Sequence, residues 1–336
     1  MKKHIFITGV AGFLGSHMAD KFISDGWKVS GCDNLIGGYK DNVHKDVDFY
    51  EHDCLDLEAM TRITKGVDVI YHTACTAYEG LSVFSPSMIT ANTTQISVNC
   101  MTAAIRNGVK RFVHCSSMAR YGTQDTYPFT EDMVCKPQDP YGIAKYAAEL
   151  LLKNLSEVHG TELVIAVPHN IIGPRQKYDD PYRNVVSIMV NLMLQNRQPI
   201  IYGDGSQVRC FSSIEDDVDC LYYFATSEKA VGNTYNIGPD ENPITVLELA
   251  KKLAKLMDFK LDPIFMEGRP QEVKYATCSA EKIRREFGYK TKINLDESLK
   301  GVIDYIENRG TRKFAYHLPV EIISEKTPKT WSNRLF

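Results

Sequence analysis

The 336-residue sequence lacks an apolar run long enough to cross a bilayer, and neither sign of charge dominates it. Lys and Arg together number 39 against 42 for Asp and Glu, a formal net charge of -3. Without an excess of basic residues the protein has no positive electrostatic potential to bind a nucleic acid, so we expect no nucleic-acid partner. The apolar run after Met1-Lys2-Lys3 is too short for a secretory signal. We therefore expect a cytoplasmic protein with no membrane partner.

The nine cysteines include no pair with the Cys-x-x-Cys spacing, and their number is odd. Disulfide frameworks and structural zinc sites both depend on regular cysteine spacing. We therefore predict reduced, mostly buried thiols and no metal site. The length of the chain fits one large domain or two joined ones.

Short β-branched runs alternate with helical patterns in the first half of the chain, as is typical of a parallel sheet with crossover helices. We predict an α/β fold: a Rossmann-type, doubly wound, NAD-binding domain over residues 1–172 with a contribution from about 210–240. A strand over 235–238 would return to this sheet. The other strands are predicted over 4–8, 28–32, 47–50, 67–72, 111–116 and 162–167, and the helices over 13–25, 57–64, 90–107 and 141–159.

Loops rich in Pro and Gly follow residue 173, and the alternation of strands and helices becomes less regular. We predict a smaller, discontinuous α/β substrate domain over 173–209 and 241–308, with helices over 184–196 and 246–258. Residues 309–336 form a C-terminal extension to which the pattern assigns no regular structure. One use for its apolar residues is packing on a neighbouring subunit.

A glycine-rich turn lies between the first predicted strand and the first predicted helix. Gly9, Gly12 and Gly15 allow a tight turn and the close approach of a pyrophosphate, which the helix N-terminus then binds. Asp33, after the second strand, is placed to accept hydrogen bonds from an adenosine ribose and to repel a 2′-phosphate. The pattern predicts NAD rather than NADP. The alternative for Asp33 is a solvated turn residue.

A Tyr-x-x-x-Lys motif supplies the candidate catalytic groups. Tyr141 and Lys145 lie on one face of a predicted helix because they are four residues apart. The ammonium and the positive ring of oxidised NAD would favour the phenolate and lower the pKa of the tyrosine. Ser117, after the fifth strand, can bond the reacting alcohol or ketone, and Ser116 is the competing assignment. An exposed amphipathic helix is the alternative for the Tyr–Lys pair.

These motifs resemble the extended branch of the short-chain dehydrogenase/reductase superfamily. Over residues 1 to about 305 the chain is similar to its NAD-dependent nucleotide-sugar epimerase/dehydratase family, of the UDP-galactose 4-epimerase type. Two further segments, at residues 170–176 and 203–209, also match the family pattern.

The resemblance implies a role for each of several residues. It implies catalytic roles for Tyr141, Lys145 and Ser117, and a diphosphate clamp of Arg209 and Arg269. It implies NAD contacts from Gly9, Gly12, Phe13, Leu14, Gly15, Asp33, Asn34, Asp53, Cys54, Thr73, Ala74, Cys75, Asn92, Ser116, Tyr141, Lys145 and Pro168. It implies contacts with a nucleotide-diphosphate sugar from Tyr78, Ser117, Met118, Asn170, Arg209, Arg269 and Glu272, the last at the nucleoside ribose.

One departure from the family pattern argues against one of the reactions that relatives catalyse. Where 4,6-dehydratases carry an Asp-Glu pair after the catalytic Ser/Thr, this sequence has Met118-Ala119, and neither side chain can move a proton. We predict oxidation of the sugar C4 hydroxyl to a ketone, as in a nucleotide-sugar 4-epimerase. A 4-dehydrogenase that releases the ketone is the alternative, since its first half-reaction is identical. A 4,6-dehydratase and a non-catalytic NAD-binding sensor are further alternatives.

The helices predicted over 90–107 and 141–159 match the pair that relatives use to form a four-helix bundle between two subunits. Leu150-Leu151-Leu152 offers more apolar surface than one buried stripe requires. The resemblance therefore implies a homodimer, with burial inside one subunit as the alternative.

Overall fold

The computed structural model describes residues 3–336. The strands are β1 (His4–Thr8), β2 (Lys28–Asp33), β3 (Asp48–Glu51), β4 (Val69–His72), β5 (Arg111–Cys115), β6 (Glu162–Pro168), β7 (Ile171–Ile172), β8 (Ile200–Tyr202), β9 (Val208–Arg209), β10 (Ser212–Ser213), β11 (Thr234–Ile237), β12 (Ile244–Thr245), β13 (Ile264–Met266) and β14 (Tyr275–Ala276). The helices are α1 (Phe13–Ser24), α2 (Leu57–Ile63), α3 (Glu79–Ser82), α4 (Pro86–Thr90), α5 (Ile96–Arg106), α6 (Pro140–His159), α7 (Val185–Leu194), α8 (Ile214–Tyr222), α9 (Val246–Leu256), α10 (Glu281–Phe287), α11 (Leu295–Arg309) and α12 (Lys329–Ser332).

Seven strands form one parallel sheet in the order β11-β6-β5-β4-β1-β2-β3. The chain runs outward from β1 in one direction and then from β4 in the other, so the strand order reverses between these two neighbours. In open α/β sheets a crevice for ligands opens at this point, beyond the carboxyl ends of the strands. The predicted Rossmann-type fold is confirmed, and β11 pairs with β6 as its sequence pattern suggested.

Apolar helices cover both faces of this sheet. Ile5 and Ile7 pack on the side of α1 and α8, whereas Phe6 between them packs on the side of α2 and α5. Successive side chains of a strand point to opposite faces, so a continuous apolar run fits a sheet buried on both sides. Within residues 3–336, no helix is both long enough and apolar enough to span a bilayer.

The remaining strands form three small sheets: β7 with β10, β8 with β13, and β9 between β12 and β14. Helices α7, α9 and α11 enclose an apolar cluster of their own, which includes Met189, Leu253 and Val302. By contrast, α10 contributes Ile283 to the cluster under the main sheet. The smaller unit is thus interrupted in sequence by segments that return to the sheet.

The helix predicted over 90–107 is interrupted by a π-helical turn. The structure has α4, the π segment Ala91–Gln95 and then α5. π turns are concentrated at functional sites, and this one carries Asn92, which lines the cavity described below. Spacing alone predicted the extent of the helical region but not this irregularity.

Helices α8, α10 and α11 were not predicted. The longest of them, α11, opens with a capping box between Asn294 and Glu297, and its buried Leu299, Val302 and Ile306 recur with helical spacing. The capping box and the helical spacing of apolar residues can both be recognised in the sequence, so α11 was predictable.

The last residues of the sequence pack on the rest of the chain. Trp331 is 4% exposed and lies in an apolar cluster with Tyr78, Tyr182 and Leu318. The expectation that the extension packs on a neighbouring subunit is therefore wrong for Trp331. Packing against distant segments, rather than local periodicity, orders these residues.

Candidate active site

A cavity of about 460 Å³ opens at the carboxyl ends of the sheet strands, a volume in the range of small-molecule sites. Every residue predicted to contact NAD or substrate lines it except Lys145. The lining residues among those predicted are Gly9, Gly12, Phe13, Leu14, Gly15, Asp33, Asn34, Asp53, Cys54, Thr73, Ala74, Cys75, Tyr78, Asn92, Ser116, Ser117, Met118, Tyr141, Pro168, Asn170, Arg209, Arg269 and Glu272. The fold thus brings the predicted cofactor and substrate residues together.

The glycine turn after β1 is packed too closely for any side chain. Gly9 has a φ of 71°, and a Cβ there would lie 3.0 Å from the Ala74 backbone. A Cβ on Gly15 would lie 2.2 Å from the Gly9 carbonyl oxygen. Because Gly9, Gly12 and Gly15 carry no Cβ atoms, the backbone of the turn and the N-terminus of α1 form a cradle that fits the pyrophosphate of a dinucleotide.

Asp33 is held in a fixed orientation beside this turn. Its carboxylate accepts hydrogen bonds from the N–H groups of Ala11 at 2.9 Å and Leu35 at 2.7 Å. Burial raises the pKa of Asp33, and only 7% of the residue is exposed. Asp33 is therefore not a solvated turn residue. Its position, with Asn34 donating to Asp53 at 2.9 Å nearby, fits the adenosine half of NAD.

Helix α6 presents the tyrosine of the Tyr-x-x-x-Lys motif to the cavity. Its N-cap, Asp139, accepts from the Gly142 N–H at 3.0 Å. Tyr141 is 4% exposed and lines the cavity. Lys145 is 1% exposed, donates to the Cys115 carbonyl at 2.7 Å and lies 6.0 Å from the centre of the Tyr141 ring. The lysine thus lies behind the tyrosine instead of on the cavity surface.

The environment of Tyr141 favours the protonated phenol. Burial raises the pKa of Tyr141 well above its ordinary value, and Cys75 and Glu79 act in the same direction. A hydrogen bond with Ser117 and the positive charge of Arg183 lower the pKa. In the protein alone, burial is the largest of these effects. A positive charge bound in the cavity would lower this pKa.

The two serines after β5 have different partners. Ser117 lies near enough to Tyr141 to lower the pKa of the tyrosine, and its hydroxyl accepts from the Ala119 N–H at 3.2 Å, whereas the Ser116 hydroxyl donates to Glu149. Glu149 also lies 2.9 Å from Arg120, and these two charged side chains are 0% and 5% exposed. The structure thus places Ser117, not Ser116, beside the tyrosine. Ser116 belongs to a buried polar network behind the cavity wall.

Two arginines of the cavity wall share one carboxylate. Arg269 donates to Glu272 at 2.5 Å, and Arg209 lies 4.0 Å from the same oxygen. Gln207 donates to the second oxygen of Glu272 at 3.2 Å. The cluster keeps an excess positive charge and planar donors, which suit a diphosphate. Glu272, implied by the resemblance to bind ribose, is here hydrogen-bonded to Arg269 and Gln207.

Three charged residues that line the cavity, Glu79, Lys177 and Arg183, were not among the predicted site residues. Glu79 is open to the cavity but enclosed by protein, and this desolvation, with the charge of Asp139 nearby, raises the pKa of its carboxyl. Arg183 lies 5.6 Å from the centre of the Tyr78 ring. Glu79 directly follows the predicted Tyr78, which is a weak signal. Arg183 lies in a loop without a motif, so only the tertiary structure reveals it.

A parallel sheet in the Rossmann order, a glycine turn, and a Tyr–Lys helix packed beside a Ser define a short-chain dehydrogenase/reductase. The model of the NAD dependent epimerase/dehydratase family matches residues 5–238. The UDP-glucose 4-epimerase of Mycolicibacterium smegmatis is 28% identical over 312 residues, which cover 90% of this chain and 98% of the relative.

Solved structures agree with the family match. A UDP-glucose 4-epimerase from Thermotoga maritima, solved with UDP-glucose, has a TM-score of 0.85 and 31% identity, covering 91% of this chain and 99% of that one. A UDP-glucose 4-epimerase from Thermus thermophilus, solved with NAD, has a TM-score of 0.83 and 26% identity, covering 90% and 99%. The chain belongs to the NAD-dependent epimerase/dehydratase family and is an NAD-dependent enzyme of the extended type.

The glycine turn allows a direct test of the cofactor site. Replacing Gly15 by Ala places a Cβ against the Gly9 carbonyl, so the turn must shift, and we expect NAD affinity to fall roughly ten-fold or more. Gly301→Ala is the matched control. Gly301 lies inside α11, and a Cβ added there would lie 3.9 Å from Pro174, its nearest neighbour, so the side chain fits without a shift. Calorimetric titration with NAD measures both variants, and equal affinities would contradict the assignment.

The buried network behind Ser116 makes a second prediction. Arg120→Met leaves the Glu149 carboxylate without its cation, and the free energy of unfolding at neutral pH should fall by about 3–5 kcal/mol. Burial already raises the pKa of Glu149, and losing Arg120 raises it further. The loss should therefore grow as pH rises through this pKa and shrink as pH falls and the carboxyl is protonated.

Urea unfolding at several pH values measures this effect. The control is Arg106→Met, since Arg106 and its partner Glu58 are 44% and 77% exposed. For that exposed pair we expect a change of about 1 kcal/mol or less. If Arg120→Met and Arg106→Met lowered the free energy of unfolding by similar amounts, the Arg120–Glu149 pair would not be effectively buried. The same conclusion would follow if the loss in Arg120→Met did not depend on pH.

Proposed function

We propose that this chain is a nucleotide-sugar 4-epimerase in which Tyr141 takes and returns the proton of the sugar C4 hydroxyl. The observation that carries the proposal is one cavity that is lined by Tyr141 and Ser117, by the glycine turn, and by the Arg209–Arg269 pair. A dinucleotide fits at the glycine turn, and a sugar diphosphate fits at the two arginines. The similarity to UDP-glucose 4-epimerases supports the same assignment.

The cofactor contacts follow from the geometry of the cavity. Gly9, Gly12 and Gly15 would hold the pyrophosphate of NAD, and Asp33 the adenosine ribose. When bound in its oxidised form, NAD supplies a hydride acceptor for C4 and a positive charge in the cavity. That charge favours the phenolate of Tyr141, whose pKa burial raises in the protein alone.

The proton steps follow from the side chains around Tyr141. Ser117 donates a hydrogen bond to the reacting oxygen while Tyr141 removes the C4 hydroxyl proton, and Tyr141 returns a proton to that oxygen when the ketone is reduced. Met118 and Ala119 offer no group that could move a proton at C6, so elimination of water is disfavoured. The diphosphate, held by Arg209 and Arg269, serves as the anchor about which the sugar turns.

The catalytic assignment predicts a large effect from one oxygen atom. Tyr141→Phe should lower kcat by about 10²–10⁴-fold, because the phenol oxygen that moves the proton is gone. Tyr146→Phe is the matched control, since Tyr146 lies on the same helix and packs on Arg120 instead of lining the cavity. The measurement is formation of the C4 epimer from UDP-glucose and related UDP-sugars. Unchanged turnover in Tyr141→Phe would refute the assignment.

Product mass separates this reaction from its alternatives. An epimerase leaves the mass of the nucleotide sugar unchanged, whereas a 4-dehydrogenase releases a product lighter by two hydrogens. A product that has lost water would contradict the role given to Met118 and Ala119. Absorbance near 340 nm shows in the same sample whether nicotinamide stays reduced.

We also propose a cytoplasmic location and a homodimer formed through α4, α5 and α6. Nine free cysteines are in keeping with a reducing compartment. Along α6, apolar residues recur on one exposed face, where Ile143, Leu150, Leu151 and Val158 are between 45% and 67% exposed, whereas Leu152 is buried. An apolar stripe of this kind on a surface helix favours a partner helix.

A charge in this stripe should prevent dimerisation. Leu151→Glu is expected to convert a dimer to a monomer, because the carboxylate would be buried unpaired between two copies. Ile323→Glu is the control, since Ile323 is 76% exposed and lies outside the stripe. Sedimentation velocity gives the mass of each species. A wild-type protein that is monomeric at micromolar concentration would contradict the dimer.

A further inference from the structure

Residues 311–336, called the tail below, contact the loop that carries Tyr182. Trp331 packs against Tyr182 with ring centres 5.6 Å apart, and its indole N–H donates to the Pro181 carbonyl at 3.2 Å. The Tyr182 hydroxyl donates to the Leu318 carbonyl at 3.2 Å. Tyr182 lines the cavity, so two separate points of the tail hold one residue of the cavity wall.

The contact with Tyr182 extends to Tyr78 and Glu79, which also line the cavity. The Tyr182 N–H donates to one oxygen of Asp180 at 2.8 Å, and the Tyr78 hydroxyl donates to the other at 2.5 Å. Tyr78 directly precedes Glu79, whose carboxylate is open to the cavity. Movement of the tail would therefore be transmitted through Asp180 to the Tyr78–Glu79 segment.

The tail also holds the start of α4. The Ser85 hydroxyl donates to the Pro319 carbonyl at 2.7 Å. The carboxylate of Glu321 accepts from the N–H groups of Ser87 and Met88, each at 2.9 Å. The N-cap of α4 has no side-chain bond of its own, so this carboxylate supplies the missing acceptor at the helix N-terminus. Helix α4 leads directly into the π turn with Asn92.

A third set of tail contacts lies beside the diphosphate clamp. The Thr330 hydroxyl is hydrogen-bonded to the Tyr202 hydroxyl, and Arg269 lies 4.7 Å from the centre of the Tyr202 ring. Arg197 donates to the Leu335 carbonyl at 2.9 Å, and Phe336 itself lines the cavity. One short segment thus touches the supports of both the sugar-facing loop and the diphosphate-facing arginine.

We propose that the tail is a specificity-determining part of the substrate site, which positions Tyr78, Glu79 and Arg269 against the sugar diphosphate. This inference rests on the proposed nucleotide-sugar function. The tail also reaches the loop after β2, where the His317 ring is hydrogen-bonded to the Ile36 carbonyl at 3.1 Å, but Trp331 contacts Phe84, Pro181 and Tyr182 instead. Loss of the Trp331 contacts should therefore act on nucleotide-sugar affinity and on the choice of sugar. NAD affinity should be unaffected.

The test compares Trp331→Ala and Phe336→Ala with Ile323→Ala, a control on an exposed residue of the same segment. We expect both tail variants to weaken binding of UDP and to lower kcat/KM for UDP-sugars about ten-fold, because displaced positioning groups are costly. We expect the ratio of kcat/KM for UDP-glucose over UDP-N-acetylglucosamine to change at least several-fold. The control and the NAD affinity should match wild type, and Trp331→Phe should recover most of the lost affinity.

Unchanged UDP affinity and an unchanged sugar ratio in Phe336→Ala and Trp331→Ala would overturn the proposal. If Trp331→Ala does not fold, Phe336→Ala decides the matter, because that residue lies at the cavity surface. Tyr141→Phe, assayed in parallel, keeps the two hypotheses apart. If Tyr141→Phe keeps full activity, the proposed function is refuted. If Tyr141→Phe is inactive while the tail variants behave like wild type, only the role of the tail is refuted.

Discussion

The active site depends on how firmly α6 is joined to the end of β5. Lys145 donates to the carbonyl of Cys115, and Glu149, one turn further along, accepts from Ser116 and pairs with Arg120. All of these groups are buried, and in a low-dielectric interior each would be costly to leave without its partner. The contacts therefore hold the helix in one register against the strand. Tyr141 and Ser117 meet because these two elements cannot slide past each other.

The burial that holds Tyr141 in place also disfavours the ionised form of its phenol. Desolvation raises the pKa of Tyr141, and the carboxylate of Glu79 adds to the effect. In the proposed reaction, the positive charge of an oxidised dinucleotide would favour the phenolate of Tyr141, which would couple proton removal to the presence of the hydride acceptor.

Part of the proposed substrate end of the cavity lies outside the segment that the family model matches. The family match covers residues 5–238, whereas Arg269 and Glu272 lie beyond it. The tail lies further along still and adds contacts to the loops around the sugar. In the proposed function, cofactor binding and proton transfer rest on the sheet and its crossover helices, and part of the choice of sugar rests on elements attached to the sheet. Such a division lets one scaffold carry related reactions on different substrates.

The sequence by itself determined the parallel sheet, the glycine turn, the place of Asp33 at the end of a strand and the Tyr141–Lys145 helix, since each depends on signals within a few neighbouring residues. It left open which of Ser116 and Ser117 faces Tyr141, because adjacent residues leaving a strand differ only in the direction of their side chains. Only the tertiary structure showed Lys145 behind the cavity wall, Glu79 and Arg183 in the cavity, and Trp331 packed on Tyr182. These positions depend on contacts between residues distant in sequence, which local propensity does not encode.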